Sequence, residues 1–241
     1  MKSIIITGAS RGIGYEAALL LAKYYDYIAV CCSKNVTMLE ELKVRIEAMG
    51  KSCIAMAGDV ADYNFAKQLV DTVAKDAGEI TAIVNNAAIS QVGLLTDTTP
   101  NDWQHIMNVN VNSVYNFCHA ALPCMINKKA GKIVNISSVW GLVGASCEVA
   151  YSTTKGAVNA FTKALAKELA PSNISVNAIA FGAVNTTMNG HLEPQDVEAL
   201  CEEIPYGRMC SPIEAAHTIK GVLDMPSYMT GEIIKVDGAW I

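Results

Sequence analysis

The chain has 241 residues, 51% of them hydrophobic, and a formal net charge of -5. It is long enough to bury one large core, and its acidic balance argues against nucleic acid or an anionic membrane surface as the main partner. No apolar run is long enough to span a membrane, and the first apolar run is too short for a signal peptide. Eight cysteines without a Cys-x-x-Cys pair predict reduced thiols in a cytoplasmic protein. Neither they nor the histidines, His105, His119, His191 and His217, have metal-ligand spacing, so we expect no metal.

The first predicted elements form a strand, a glycine-rich turn and a helix. Ser3–Thr7 is a β-branched run, and a helical pattern covers Ile13–Tyr25. Between them, Gly8 permits a tight turn, Gly12 lets the backbone approach a pyrophosphate, and Gly14 lets the helix pack on the strand. The spacing is Gly-x-x-x-Gly-x-Gly, which differs from the usual fingerprint, and a plain glycine loop is the alternative. The segment predicts a dinucleotide site that includes the following residues: Gly8, Ser10, Arg11, Gly12, Ile13 and Gly14.

Strands and helices then alternate along the chain, which predicts a parallel sheet. Further strands are predicted at Tyr27–Cys32, Ser52–Ala57, Ile80–Val84, 131–137, Ile174–Ala180 and Glu232–Val236. Helices are predicted at Val36–Met49, Asp62–Ala77, Asn101–Lys128, Tyr151–Leu169 and from Pro212 onward. We therefore expect an α/β fold with one domain, a Rossmann-like doubly wound parallel sheet with helices on both faces. The carboxyl ends of its strands should open on one crevice.

The end of the second strand indicates which cofactor is bound. Enzymes that prefer NADH often place an acid there for the ribose hydroxyls, whereas this chain has Ser33 and Lys34. Together with Arg11 they suit a 2′-phosphate, so we expect NADPH; the alternative is that Lys34 is a solvated loop residue. After the third strand, Asp59 and its neighbour Val60 are placed to meet the adenine.

Ser138, Tyr151 and Lys155 suggest reduction of a ketone. Tyr151 and Lys155 are four residues apart in a helical pattern, so they share one face, and Ser138 follows a buried strand. Such a reduction needs an acid beside the developing oxyanion. An ammonium about 4 Å from the phenol is worth roughly 4 kcal/mol, which predicts a lowered tyrosine pKa. The alternative is an ordinary pair on a helix surface.

Two further segments attract attention. Asn110 lies inside an apolar helical pattern, where its amide needs a partner, so it is a candidate for a structural or catalytic role. The alternative is a capping or helix-distorting hydrogen bond. The mixed segment near 186–210, with Pro194, Pro205 and Gly207, suits a mobile substrate lid or a static surface excursion.

These motifs, in this order, resemble the short-chain dehydrogenase/reductase family over essentially the whole chain. The resemblance implies a catalytic tetrad of Asn110, Ser138, Tyr151 and Lys155, with Tyr151 donating the proton and Lys155 also holding the nicotinamide ribose. Asn110 would anchor a water of the proton relay, and Thr186 would meet the carboxamide. The resemblance also implies a homotetramer and further cofactor contacts at Asp59, Val60, Asn86, Ala87, Ala88, Val109, Val184 and Thr186.

Three positions depart from the family pattern: Ala88, Phe181 and Ala239. Ala88 replaces a glycine near the nicotinamide, Phe181 replaces the usual proline before Gly182, and Ala239 replaces a glycine. None removes a reacting group. We expect their effects on the geometry of the lid and on cofactor affinity.

The resemblance implies a 3-oxoacyl thioester on acyl carrier protein as the expected substrate, and an amino-ketone as the alternative. The chain is most similar to bacterial 3-oxoacyl-[acyl-carrier-protein] reductases, in which Lys129 or Lys132 would meet the acidic carrier, although Pro171-Ser172-Asn173 lacks a second basic residue. The segment Trp140–Val149 also resembles reductases of the 5-aminopentanone group on translation elongation factor P. There Trp140 and Glu148 would contact substrate, with Glu148 pairing with the amine; the alternative is a carboxylate near a helix dipole. A non-catalytic cofactor-binding protein is a remote alternative.

Overall fold

A computed structural model describes residues 1–190 and 192–241, and His191 lies outside the described residues. Seven strands of the described chain form one parallel sheet in the order β3-β2-β1-β4-β5-β6-β7. The strands are β1 Ser3–Thr7, β2 Tyr27–Cys32, β3 Ser52–Ala57, β4 Ala82–Asn85, β5 Gly131–Ser138, β6 Ile174–Phe181 and β7 Ile233–Val236. This is the order of a doubly wound sheet, so the predicted fold class is confirmed.

Helices connect successive strands and cover both faces. They are α1 Gly12–Leu21, α2 Val36–Ala48, α3 Tyr63–Ala77, α4 Pro100–Met107, α5 Ser113–Lys128, α6 Trp140–Val143, α7 Val149–Leu169, α8 Pro194–Glu203 and α9 Pro212–Asp224. No described helix has both the length and the apolar character that a membrane crossing needs.

Alternating side chains of the sheet explain the two layers. Ile4 and Ile6 pack in one apolar cluster with α1, α2 and α9, whereas Ile5 packs in the other with α3, α5 and α7. Every residue of β1, β2 and β6 is buried. Strands that are covered on both faces read as continuous hydrophobic runs, which is why they were predictable from sequence.

The predicted long helix Asn101–Lys128 is wrong in its centre. Asn108–Asn112 is a π-helix that separates α4 from α5. The side chain of Asn110 is buried there and bonds outside its own helix, which favours the wider turn. Other boundaries shift slightly: α1 ends at Leu21 rather than Tyr25, and β4 begins at Ala82 rather than Ile80.

Register places the functional residues at one edge of the sheet. Ser138, the last residue of β5, pairs with Phe181, the last of β6. Thr7 at the end of β1 pairs with Cys31 of β2. Because all strands are parallel, these carboxyl ends open on the same side, as the sequence predicted. All eight cysteines are free, and no cluster of metal-ligating side chains occurs among the described residues.

Candidate active site

A cavity of about 1030 Å³ lies at the carboxyl edge of the sheet. Its cofactor end is lined by the β1–α1 turn, by the residues after β2 and by the loop after β4. Its substrate end, as we use the term, consists of Trp140, Glu148, Asp196, Leu200, Glu203 and Trp240. The predicted site residues that line the cavity are Gly8, Ser10, Arg11, Gly12, Ile13, Ser33, Lys34, Val60, Asn86, Ala87, Ala88, Val109, Ser138, Trp140, Glu148, Tyr151, Lys155, Val184 and Thr186.

The β1–α1 turn has the properties of a pyrophosphate cradle. Gly8 has φ +67°, and a Cβ on it would lie 2.8 Å from the Cα of Ala87, so only glycine fits. A Cβ on Gly14 would lie 2.5 Å from the carbonyl oxygen of Gly8, so Gly14 lets α1 approach the strand but does not line the cavity. Arg11, the N-cap of α1, provides no side-chain cap, which leaves the first amides of the helix to a ligand.

The adenosine side of the cavity differs in part from the prediction. Exposed Arg11, Ser33 and Lys34 surround the end of β2, where the strand ends on Cys32 rather than on an acid. Asp59 does not line the cavity, since its carboxylate accepts a hydrogen bond from the amide of Ala61 at 2.9 Å. This local turn competes with an adenine contact.

Ser138, Tyr151 and Lys155 converge on the middle of the cavity. Trp140 N donates to Ser138 Oγ at 3.2 Å, and the Ser138 hydroxyl hydrogen-bonds with the Tyr151 phenol. Lys155 is only 3% exposed, and its Nζ donates to Ile136 O at 2.8 Å and lies 5.5 Å from the Tyr151 ring centroid. The three groups predicted from sequence are therefore brought together.

The pKa of Tyr151 shifts in the direction opposite to the expectation. Burial raises it first, the negative charge of Glu148 raises it further, and the Ser138 hydrogen bond lowers it. Burial also lowers the pKa of Lys155 to about 8. Desolvation of the phenolate outweighs the distant ammonium, so the phenol keeps its proton across the physiological range.

Asn110 and Thr154 link the π-helix to the catalytic helix. Asn110 Oδ1 accepts from Ile89 N at 2.8 Å, and its Nδ2 donates to Ile89 O at 2.9 Å and to Thr154 Oγ1 at 3.1 Å. Thr154 Oγ1 in turn donates to Tyr151 O at 2.7 Å. Asn110 lies outside the cavity lining, so its side chain holds the loop after β4 against α7.

Gly141 is a residue that sequence reasoning missed. A Cβ on Gly141 would lie 2.6 Å from the carbonyl carbon and 2.8 Å from the Cβ of Lys155. Asn159 Nδ2 also donates to Gly141 O at 3.0 Å. The missing side chain lets α6 rest on α7 directly at Lys155. The only sequence signal was a glycine three residues after the strand end at Ser138, which is common in turns.

The segment 186–210 contributes to the substrate end. It contains α8, and its base is closed by the bridge between Val184 and Cys210, with Cys210 N donating to Ala183 O at 2.9 Å. Asp196, Leu200 and Glu203 of α8 line the cavity and were not predicted. Described residues of the segment line the cavity, and its role as a lid remains a prediction; His191 lies outside the described residues.

Trp240 also lines the substrate end and was missed, because it is far from the other site residues in sequence. Its ring centroid lies 4.9 Å from that of Trp140, at an interplanar angle of 59°. Glu148 Oε2 accepts from Ser90 Oγ at 3.2 Å, beside Tyr151. Acidic side chains and two indole rings therefore line the same cavity.

Lys129 and Lys132 do not flank the cavity, which corrects the carrier-docking hypothesis. Lys132 is the second residue of β5, at the strand end opposite Ser138. Its Nζ donates to Leu223 O at 2.5 Å and to Met225 O at 2.6 Å, so it caps α9. Lys129 is the C-cap of α5 and lies at that same amino edge.

The three departures from the family pattern have visible consequences. Phe181 extends β6 to the cavity, and its carbonyl accepts from Val139 N at 2.9 Å, so the lid segment leaves the sheet only after it. Ala239 has φ +68°, a conformation that favours glycine. Ala88 lines the cavity and leaves its lining continuous.

Comparison with known proteins agrees with this architecture. A family model described as short chain dehydrogenase matches residues 2–197. The chain is 39% identical to the uncharacterized oxidoreductase YmfI of Bacillus subtilis (strain 168), over 99% of this chain and 98% of that protein. It is 36% identical to the 3-oxoacyl-[acyl-carrier-protein] reductase FabG of Thermotoga maritima, over 100% of this chain and 98% of that protein. It is 34% identical to the 3-oxoacyl-[acyl-carrier-protein] reductase FabG of Staphylococcus aureus (strain Mu50), over 98% of this chain and 97% of that protein.

Proposed function

Because this chain belongs to the short-chain dehydrogenase family and is an NAD(P)-dependent oxidoreductase, we propose that it reduces a ketone with NADPH at the Ser138–Tyr151–Lys155 site. The observation that carries the proposal is the convergence of these three side chains on one cavity beside a turn suited to a pyrophosphate. A regulatory cofactor-binding protein would not need the buried ammonium of Lys155, whose desolvation costs stability.

NADPH, when bound, would supply the hydride, and residues of this chain bind and protonate the carbonyl oxygen. Ser138 donates a hydrogen bond that holds the carbonyl oxygen, and the amide of Trp140 fixes the Ser138 hydroxyl. As charge develops on that oxygen, Tyr151 donates its phenolic proton. An alkoxide is a stronger base than a phenolate, so a raised tyrosine pKa still permits the transfer and keeps the donor protonated beforehand. Lys155, held by Ile136 O, would bind the ribose and stabilise the phenolate that forms.

NADPH is proposed over NADH because Arg11, Ser33 and Lys34 surround the position where a 2′-phosphate would lie. The test is the rate of cofactor oxidation with each nucleotide. We expect kcat/KM to favour NADPH at least about tenfold, and Lys34→Ala to reduce this preference severalfold without changing kcat. A wild-type preference for NADH would contradict the assignment.

The charges of the cavity favour an amino-ketone as substrate. The cofactor end carries Arg11 and Lys34, whereas the substrate end carries Glu148, Asp196 and Glu203. A substrate with an ammonium group would be attracted to the acidic end and repelled from the basic one. We therefore infer that the substrate is a ketone with a primary amine, for which the 5-aminopentanone group on elongation factor P is the first candidate.

A 3-oxoacyl thioester on acyl carrier protein is the second candidate. The relatives whose printed names include FabG are reductases of that class, and they align over nearly the whole chain. Against it, Lys129 and Lys132 lie at the opposite edge of the sheet from the cavity. The homotetramer that the family resemblance implies is compatible with either substrate and stays a prediction.

Glu148→Gln separates the two candidates. Because the charge of Glu148 also raises the pKa of Tyr151, the substitution will change kcat for an amino-ketone and for its neutral isostere alike. The informative quantity is therefore the ratio of kcat/KM for the amino-ketone to kcat/KM for the neutral isostere. We expect this ratio to fall about tenfold, as for loss of one partly solvated charge pair. Glu198→Gln, on α8 but outside the cavity lining, is the control and should leave the ratio unchanged. An unchanged ratio in Glu148→Gln, with faster turnover of a 3-oxoacyl thioester, would establish the second candidate.

A further inference from the structure

The Trp140–Trp240 pair is the most unusual feature of the substrate end. Trp140 is the first residue of α6, and its amide holds Ser138 Oγ. Trp240 comes from a distant part of the chain, after β7, and its ring packs on that of Trp140. Both indoles line the cavity and are only half-buried, so they offer aromatic surface to a substrate.

A short, well-anchored turn holds Trp240 in place. The Asp237 carboxylate is 5% exposed and accepts from Ala239 N and Ile241 N, both at 3.0 Å. Lys235 Nζ lies 3.3 Å from the same carboxylate. These contacts bracket Trp240 on both sides along the chain, so its backbone is fixed before any ligand binds.

The Asp237–Trp240 turn also contacts the 186–210 segment, several described residues of which line the cavity. A Cβ on Gly238 would lie 2.9 Å from Ile204 Cγ2 and 3.0 Å from Tyr206 Cβ, and Tyr206 N donates to Gly238 O at 3.2 Å. The turn that carries Trp240 therefore contacts the 186–210 segment, while the Trp240 ring contacts Trp140 of α6.

We propose that Trp240 is a specificity-determining residue whose indole, which packs at a tilt against that of Trp140, binds the ammonium group of the substrate by cation–π attraction. Indole is the aromatic group that attracts cations most strongly, and the attraction needs the cation within about 6 Å of the ring centroid. The neighbouring carboxylates of the substrate end would act in the same direction. This inference rests on the proposed amino-ketone function and names the side chain that recognises its amine.

The test compares Trp240→Phe, which keeps an aromatic face, with Trp240→Leu, which keeps only apolar bulk. For the amino-ketone, we expect Trp240→Leu to lower kcat/KM about tenfold through KM, and Trp240→Phe to stay within about threefold of wild type. For the neutral isostere, both variants should change less than about twofold. Tyr228→Ala, at a side chain that is 98% exposed and outside the cavity lining, is the matched control. If Trp240→Phe and Trp240→Leu lost kcat/KM equally, and on both ketones, Trp240 would have only a structural role and the proposal would be overturned.

A binding measurement keeps this inference separable from the reductase proposal. n-Pentylamine and 1-pentanol are titrated calorimetrically into each variant at neutral pH with saturating NADP⁺. We expect wild type to bind the amine more tightly than the alcohol, and Trp240→Leu to lose that difference while Trp240→Phe keeps it. Wild type without preference for the amine would overturn the role of Trp240. Amine preference without turnover of any ketone would instead uphold that role and refute the proposed reaction.

Discussion

Replacement of Gly141 by alanine tests whether the contact between α6 and α7 sets the catalytic geometry. The new Cβ would lie 2.6 Å from the carbonyl carbon of Lys155 and 2.8 Å from its Cβ, whereas ordinary contacts begin near 3.4 Å. The two helices must separate by roughly 0.6–0.8 Å to relieve this overlap, and such overpacking costs about 1–3 kcal/mol. For a chain of this length, that lowers Tm by about 2–12 °C.

The same displacement should affect turnover more than cofactor binding. Lys155 lies on α7, and Ser138, the last residue of β5, is bonded to the amide of Trp140, the first residue of α6. Misplacement by about 1 Å can cost on the order of 100-fold in rate. We expect Gly141→Ala to lower kcat at least about tenfold while the Kd for NADPH changes little. Gly156→Ala is the control, since its Cβ would meet only Gly141 O at 3.7 Å and alanine is the better helix former. If Gly141→Ala matched Gly156→Ala in both Tm and kcat, the packing argument would be refuted.

Three further outcomes are expected. Ala239→Gly relieves φ +68° and should raise Tm by about 2–4 °C in calorimetry; a lower Tm would contradict the strain. Lys132→Met removes the side chain that caps α9, so it should lower the free energy of unfolding, measured with denaturant, by about 1 kcal/mol. It should leave KM for a carrier-bound substrate unchanged, and a raised KM would restore the docking role of Lys132. Because burial lowers the Lys155 pKa to about 8 from 10.5, the folded state binds fewer protons between these values. Wild-type stability relative to Lys155→Met should therefore rise from pH 8 to 10.5, and a flat difference would show that the ammonium is not destabilised by burial.

The sequence was sufficient for features that depend on local pattern. Buried strands of a parallel sheet read as apolar runs, and Ser138 at the end of such a run had to face the crevice. The four-residue spacing of Tyr151 and Lys155 placed both on one face of α7, as the structure has them. Gly8 was identifiable because a strand-to-helix turn with a close backbone approach requires glycine.

Features that depend on distant contacts were not predictable. The π-helix around Asn110 accompanies hydrogen bonds from its amide to Ile89 and Thr154. The sequence offered a helix-distorting hydrogen bond at Asn110 as an alternative, but no local propensity encodes these partners. Lys132 looked like a surface cation until the position of α9 showed its two carbonyl partners. Trp240 lies beside Trp140 only because the fold brings the end of the chain to the cavity, and no local sequence pattern indicates that contact.

The direction of the Tyr151 pKa illustrates a quantitative limit of sequence reasoning. Spacing suggested an ammonium close enough to acidify the phenol, and the effect of a nearby charge is large at short range. In the structure the Lys155 ammonium donates a hydrogen bond to Ile136 O. Burial of the phenol and the negative charge of Glu148 both disfavour the phenolate and raise the pKa of Tyr151. The direction of the Tyr151 pKa shift therefore follows from desolvation and from the charge of Glu148, neither of which can be read from the four-residue spacing of Tyr151 and Lys155.

Tyr151→Phe, assayed for oxidation of NADPH with an amino-ketone, tests the central claim most directly. The substitution removes only the phenolic oxygen, so the fold and the cofactor end of the cavity should be preserved. We predict that kcat falls by at least about 100-fold, the range for loss of a general acid, while the Kd for NADPH stays within about threefold of wild type. Retention of more than about a tenth of the wild-type kcat would contradict proton donation by Tyr151.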